Sequence, residues 1–112
     1  MARKPRKRSY SGIYHIMLRG VNRQTIFEDN EDKSRLLNTI KRFKEKDKFL
    51  VHSYCLMDNH IHLLIKEKEE TVSTIIQKIS ASYVYWYNNK YERCGHLFLE
   101  NLASAKPFRR MP

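Results

Sequence analysis

Phe49-Leu50-Val51-His52-Ser53-Tyr54-Cys55-Leu56-Met57-Asp58-Asn59-His60-Ile61-His62-Leu63-Leu64-Ile65-Lys66 is the stretch on which the fold turns. Residues 49–57 and 60–66 are both rich in aliphatic, aromatic and β-branched side chains, and only the turn pair Asp58-Asn59 separates them. Two such runs joined by two turn residues read as an antiparallel hairpin. The second run also alternates. Ile61, Leu63 and Ile65 fall on one face of the strand, and His60, His62 and Leu64 on the other, because successive side chains of a strand point to opposite sides. The apolar set is suited to a core, so the histidines face away from it.

Elements on either side complete the pattern. Gly12-Ile13-Tyr14-His15-Ile16-Met17-Leu18-Arg19 reads as a first strand, followed by the polar loop Gly20-Val21-Asn22-Arg23-Gln24. Asp29 or Asn30 is placed to cap a helix with Glu31 and Asp32 in its first turn, where acids favour the helix dipole. Leu36, Leu37, Ile40 and Phe43 give that helix an apolar stripe, and it should end near Lys46–Lys48. Beyond the hairpin, Thr71 is placed to cap a second helix whose apolar residues recur at three and four: Val72, Ile75, Ile76, Ile79, Tyr83, Trp86 and Tyr87. Gly95 breaks the pattern, and His96-Leu97-Phe98-Leu99 reads as a short fourth strand. The order strand–helix–strand–strand–helix–strand predicts an α+β fold of the ferredoxin-like, split βαβ kind. Two helices would cover one face of a four-stranded antiparallel sheet and leave the other open.

The chain of 112 residues is long enough for one domain with a modest core. It has no apolar run long enough to span a bilayer and no apolar stretch near Met1 of the kind a secretory signal needs, so a cytoplasmic protein without membrane contact is expected. Its two cysteines, Cys55 and Cys94, are too few for a disulfide framework. The net charge is +10, and it is unevenly spread. The first 27 residues carry seven Lys or Arg and no acid, whereas residues 28–47 carry six of each sign. A basic leading segment of this kind suits phosphate contacts. Arg19 and Arg23 are placed to pair with phosphates or guanine edges, and Asn22 and Gln24 to read a base edge. Arg3, Lys4, Arg6, Lys7 and Arg8 would track phosphates without regard to sequence. Lys41, Arg42, Lys44 and Lys46, interleaved with acids, read as the solvated side of a helix.

Two imidazoles at i and i+2 on a strand project side by side and suit a single metal ion, with the remaining ligands drawn from other elements, substrate or water. His15 and His52 read as ordinary strand residues. Cys55, Cys94 and His96 fit no familiar zinc spacing.

Three stretches, in order along the chain, resemble the single-tyrosine transposases of the HUH class, in the branch of REP-associated tyrosine transposases. They are Ser11-Gly12-Ile13-Tyr14-His15-Ile16 with Arg19-Gly20-Val21-Asn22-Arg23-Gln24-Thr25-Ile26-Phe27, Tyr54 to Ile65 around His60-Ile61-His62, and Tyr87-Asn88-Asn89-Lys90-Tyr91 through Gly95-His96-Leu97-Phe98. The resemblance implies a domain over residues 11–100, preceded by a basic tail, 1–10, and followed by a tail, 101–112, that does not look like the family. It also implies binding of single-stranded or hairpin DNA by a monomer or homodimer. In that chemistry Mg²⁺ or Mn²⁺ sits on His60 and His62, and a tyrosine attacks the scissile phosphate to hold it as a phosphotyrosine. In the family that tyrosine lies on a helix beyond the fourth strand. Residues 101–112 contain no tyrosine, so the expectation is a chain cut short or shifted in frame near residue 100, with the C-terminal helix missing. The alternative is a catalytically inactive remnant that binds DNA hairpins. Tyr83 and Tyr87 belong to the buried stripe of the second helix, and Tyr85 and Tyr91 are expected nearer the surface. A ferredoxin-like nucleic-acid module without this ancestry is a third possibility, which the three stretches argue against.

Overall fold

The computed structural model describes the backbone of residues 12–107 and the side chains of residues 12–99. The tail residues Arg3, Lys4, Arg6, Lys7 and Arg8 therefore lie outside the described residues.

Strand β1 (Ile13–Gly20) leads through a single 3-10 turn, Val21–Arg23, to helix α1 (Asn30–Asp47). Strands β2 (Leu50–Met57) and β3 (His60–Lys66) form the hairpin, followed by helix α2 (Val72–Lys90) and strand β4 (Phe98–Pro107). The strand order is β2-β3-β1-β4, and every neighbouring pair is antiparallel. This is the expected ferredoxin-like arrangement, in which β3 pairs between the two strands that α1 connects.

Local chemistry accounts for both helix starts. The Asp29 carboxylate accepts a hydrogen bond from Asp32 N–H at 3.0 Å, and Thr71 Oγ1 accepts from Thr74 N–H at 3.3 Å. Each satisfies one of the N–H groups that the first turn leaves unpaired. At the other end of α1, Lys48 takes a left-handed conformation, φ 62°, and its N–H closes on Lys44 C=O at 2.9 Å.

Both helices cover the same face of the sheet. Leu36 and Ile40 of α1, together with Ile75, Ile76, Ile79, Tyr83 and Tyr87 of α2, bury against Tyr14, Ile16 and Leu18 of β1 and Ile61, Leu63 and Ile65 of β3. Leu37 and Phe43, at the margin of the α1 stripe, are half-buried. Trp86 differs from its expected place in the buried stripe. It sits half-buried on the seam between the helices, with the Arg35 guanidinium 5.4 Å and the Lys90 ammonium 5.1 Å from its ring centroid.

The fourth strand is longer than expected. It begins at Phe98 rather than His96 and continues to Pro107, through a segment read from sequence as tail. Residues 101–107 alternate poorly and gave no strand signal of their own. The free edge of β1 supplies what the side chains lack, since its unpaired N–H and C=O groups find partners along β4 from Gly20↔Phe98 to Tyr14↔Pro107. The register slips once, between His15 and Met17.

Candidate metal and nucleic-acid face

The face of the sheet opposite the helices is built in rows by strand register. Arg19 of β1 stands beside His60 of β3, and His60 beside Met57 of β2. One row along, Met17 pairs with His62, and His62 with Cys55. The next row holds His15, Leu64 and Ser53. Directly paired residues share a face, so these side chains lie together and away from the core. Leu99 of β4, opposite Arg19, joins the same face. Ile61, Leu63 and Ile65 are fully buried while His60, His62 and Leu64 are half-buried, which is the expected alternation.

His60 and His62 stand with ring centroids 5.0 Å apart and planes at 83°. The Asn59 side-chain oxygen lies 2.8 Å from His60 Nδ1. His15, read from sequence as an ordinary strand residue, is brought against the pair: its Nε2 lies 3.0 Å from His62 Nδ1. Spacing along the chain held no sign of this, because the two residues are 47 positions apart and meet only through the β1–β3 register. Burial, and then the nearby His15 and His60, hold the His62 pKa below the usual imidazole value. The ring is therefore neutral near pH 7, which is the form a metal ion requires. His52 lies at the irregularity between Val51 and Ser53, exposed and outside the cluster.

The donor set fits a metal of mixed preference. Two neutral imidazoles leave the other positions to water or phosphate oxygen, a combination that Mn²⁺ accepts more readily than the strongly oxygen-seeking Mg²⁺. Among the described residues, the one group of three or more donor side chains gathered within ligand distance is elsewhere, at Asp29, Glu31 and Asp32. That group already holds a cation. Lys90 Nζ lies 3.1 Å from Asp29, 2.6 Å from Glu31 and 2.7 Å from Asp32, so an ammonium occupies the place a cation would take. Cys55 and Cys94 are exposed and free, and neither is gathered with His96 into a ligand group.

The basic loop is anchored beside the histidines. Gly20 N–H donates to Asn59 C=O at 2.8 Å, and Ile26 N–H to Asp58 C=O at 2.7 Å, so the loop after β1 is bound to the β2–β3 turn that presents His60. From the helix side, Tyr83 O–H donates to Ile26 C=O at 2.6 Å and Tyr87 O–H to Thr25 C=O at 2.9 Å. Arg19, Asn22 and Arg23 are exposed and Gln24 is half-buried, all at the His60 end of the sheet. Asn22 and Arg23 hold left-handed backbone, φ 55° and 60°. Gly20 is required by crowding: a Cβ there would lie 2.2 Å from Gln24 C=O. Gly20→Ala is expected to cost about 2–3 kcal/mol and to displace the loop, measured as a lowered urea midpoint together with chemical-shift changes confined to residues 20–26 and 58–60. An unchanged midpoint would contradict the crowding.

None of the described tyrosines stands on the histidine face. Tyr14, Tyr83 and Tyr87 are core residues. Burial pushes the Tyr83 phenol well above its usual value, and burial with the nearby Glu28 pushes Tyr87 up to about 12. Tyr91, expected nearer the surface, is half-buried and donates to Asp32 at 2.6 Å. Tyr85 is exposed as expected, but on α2, behind the sheet. Tyr54 is paired with Leu63 and so takes the helix side of edge strand β2.

Comparison with known proteins agrees with this architecture. No curated protein sequence matches the chain. Among solved structures, the chain is similar to a REP-associated tyrosine transposase bound to a REP hairpin. The TM-score is 0.65 at 14% identity, over 88% of this chain and 58% of that one. A candidate transposase from Deinococcus radiodurans R1 gives a TM-score of 0.60, also at 14% identity, over 81% of this chain and 70% of that one. This chain thus spans little more than half the length of the hairpin-bound structure. The family profile described as IS200-like transposase matches residues 8–102, nearly the whole of the described chain, and the protein belongs to that family.

Proposed function

We propose that this chain forms the DNA- and metal-binding part of a single-tyrosine transposase of the HUH class, in the REP-associated branch, and that it takes single-stranded or hairpin DNA on the open face of its sheet. The observation that carries the reading is the placement of His60 and His62 side by side on that face, with Arg19 in the adjoining strand position beside His60. Arg19 at the end of β1 and Asn22, Arg23 and Gln24 of the anchored loop would meet the DNA, and the basic tail would follow its phosphates. A bound Mg²⁺ or Mn²⁺ would offset phosphate charge and fix the scissile group in place. His60 and His62 would hold that ion through neutral ring nitrogens. In the chemistry of this class, a tyrosine oxygen bonds to phosphorus as the bond to the 3′ oxygen breaks, leaving a 5′ phosphotyrosine and a free 3′ hydroxyl. None of the described tyrosines stands on the histidine face, so these residues by themselves are expected to bind a hairpin without cleaving it, which is the second reading.

A labelled hairpin-bearing oligonucleotide incubated with the chain and Mn²⁺ separates the two readings. The expected outcome is binding without a covalent adduct. A phosphotyrosyl adduct would identify an active nuclease and overturn the second reading. Affinity should fall by about 100-fold or more between about 50 and 200 mM salt, because phosphate contacts release counterions. A salt-independent affinity, or none at all, would overturn DNA binding by this face.

A further inference from the structure

Each histidine of the pair carries a polar neighbour on the same ring atom. His60 Nδ1 lies 2.8 Å from Asn59 Oδ1. An amide oxygen only accepts, so His60 Nδ1 carries the proton and Nε2 the lone pair. His62 Nδ1 lies 3.0 Å from His15 Nε2. The two ring planes are within 11° of parallel, with centroids 5.2 Å apart. The centroid separation exceeds the nitrogen separation by about two ring radii, so the rings meet edge to edge with the nitrogens pointing at each other.

We propose that His15 is a positioning residue for metal binding: it accepts the Nδ1 proton of His62 and so leaves the His62 lone pair on Nε2, as Asn59 does for His60. The proposal rests on the reading of His60 and His62 as ligands. Two neutral imidazoles share one proton across this contact in either of two ways. If His15 Nε2 donates, His62 Nε2 holds the other proton and cannot ligate. If His62 Nδ1 donates, Nε2 is free. A hydrogen-bond acceptor behind a ligating histidine commonly fixes its tautomer and ring orientation, and a carboxylate or carbonyl usually plays that part. Here a third imidazole does so. Asn59 comes from the turn preceding β3, whereas His15 comes from β1, diagonal to His62 across the strand register. The two ligands are thus oriented by different elements, and His62 depends on correct β1–β3 pairing. His15, His60 and His62 do not close into a group of three ligands within reach of one another, which suits support from behind rather than a third bond to the ion.

The test uses the full chain, with Mn²⁺ as probe and two readouts. The first is Mn²⁺ affinity, from the electron paramagnetic resonance signal of free Mn²⁺. The second is the His62 tautomer without metal, from long-range ¹H–¹⁵N correlation of the imidazole nitrogens. Wild type should show His62 protonated at Nδ1. His15→Leu should lose that preference and bind Mn²⁺ about 10–100-fold more weakly. His15→Gln, whose amide oxygen accepts a hydrogen bond at a similar reach, should recover most of the affinity. His15 is exposed, so neither change threatens the fold. Wild-type tautomer and affinity in His15→Leu would overturn the proposal, as would a His15→Gln variant no better than His15→Leu. If wild type binds no Mn²⁺, the metal reading of the pair fails, and the metal-free tautomer still decides whether His15 orients His62.

Discussion

His60→Ala and His62→Ala, each made alone, are expected to weaken Mn²⁺ binding by about 100-fold or more while leaving the affinity for a hairpin oligonucleotide, measured in chelator, nearly unchanged. The ligand effect should exceed the 10–100-fold typical of removing a hydrogen-bond partner behind a ligand, because on the proposed reading one imidazole ligand is lost outright. DNA affinity is expected to survive because phosphate contacts from arginine and lysine dominate such binding, and the residues proposed to make them are not the histidines. The histidines contribute little to folding, since both are half-buried and belong to the open face. Calorimetric Mn²⁺ titration and fluorescence anisotropy on a labelled hairpin provide the two measurements. A large loss of hairpin affinity in either variant would mean that the histidines shape the surface rather than hold an ion.

The second large effect is expected at Asp32, where α1 meets α2. Asp32 is fully buried. Its carboxylate accepts from Glu28 N–H at 2.7 Å, Tyr91 O–H at 2.6 Å and Lys90 Nζ at 2.7 Å. Burial alone would raise its pKa. The Lys90 and Tyr91 donors and the Glu28 N–H outweigh burial and hold it below the usual carboxylate value. Asp32→Ala should cost about 3–5 kcal/mol, as expected when one partner of a buried charged contact is removed, which is a large share of the stability of a domain of this size. The sign with pH follows. A depressed carboxyl pKa stabilises the fold above its unfolded value, near 4, and that contribution is lost as pH falls through the lower folded value. Urea unfolding should therefore show a stability gap between wild type and variant that is wide at pH 7 and narrows below about pH 4. A gap below about 1 kcal/mol at pH 7 would mean that the helix ends are held by packing alone. The acids that neutralise Lys90 here are the same ones that resemble a metal cluster, so added divalent cation should not restore the variant.

Much of this protein could be read along its chain. Alternation in His60–Lys66 assigned the two faces of β3 correctly, because a residue's side of a strand depends only on parity. Thr71 located the start of α2 and Asp29 or Asn30 that of α1, where Asp29 proved to be the cap, because capping is settled within three residues. The spacing of Ile75, Ile76, Ile79, Tyr83 and Tyr87 identified the buried stripe of α2. What escaped the sequence involves partners far apart in it. Residues 101–107 had no strand pattern, yet Asn101, Lys106 and Pro107 pair with β1 because it has an edge to fill. Trp86 has core spacing but lies between two cations at the helix seam. The acids that open α1 read as dipole partners, and only the packing of α2 places Lys90 among them.

The histidine pair shows the same division. Its alternation determined, without any structure, that His60 and His62 share one face and that this face is not the core. Which groups flank the two rings was decided by tertiary pairing. Asn59 is a sequence neighbour and so was always at hand. His15 reaches His62 only because β1 and β3 pair antiparallel in one register, and a shift of a single residue would turn His15 to the opposite face.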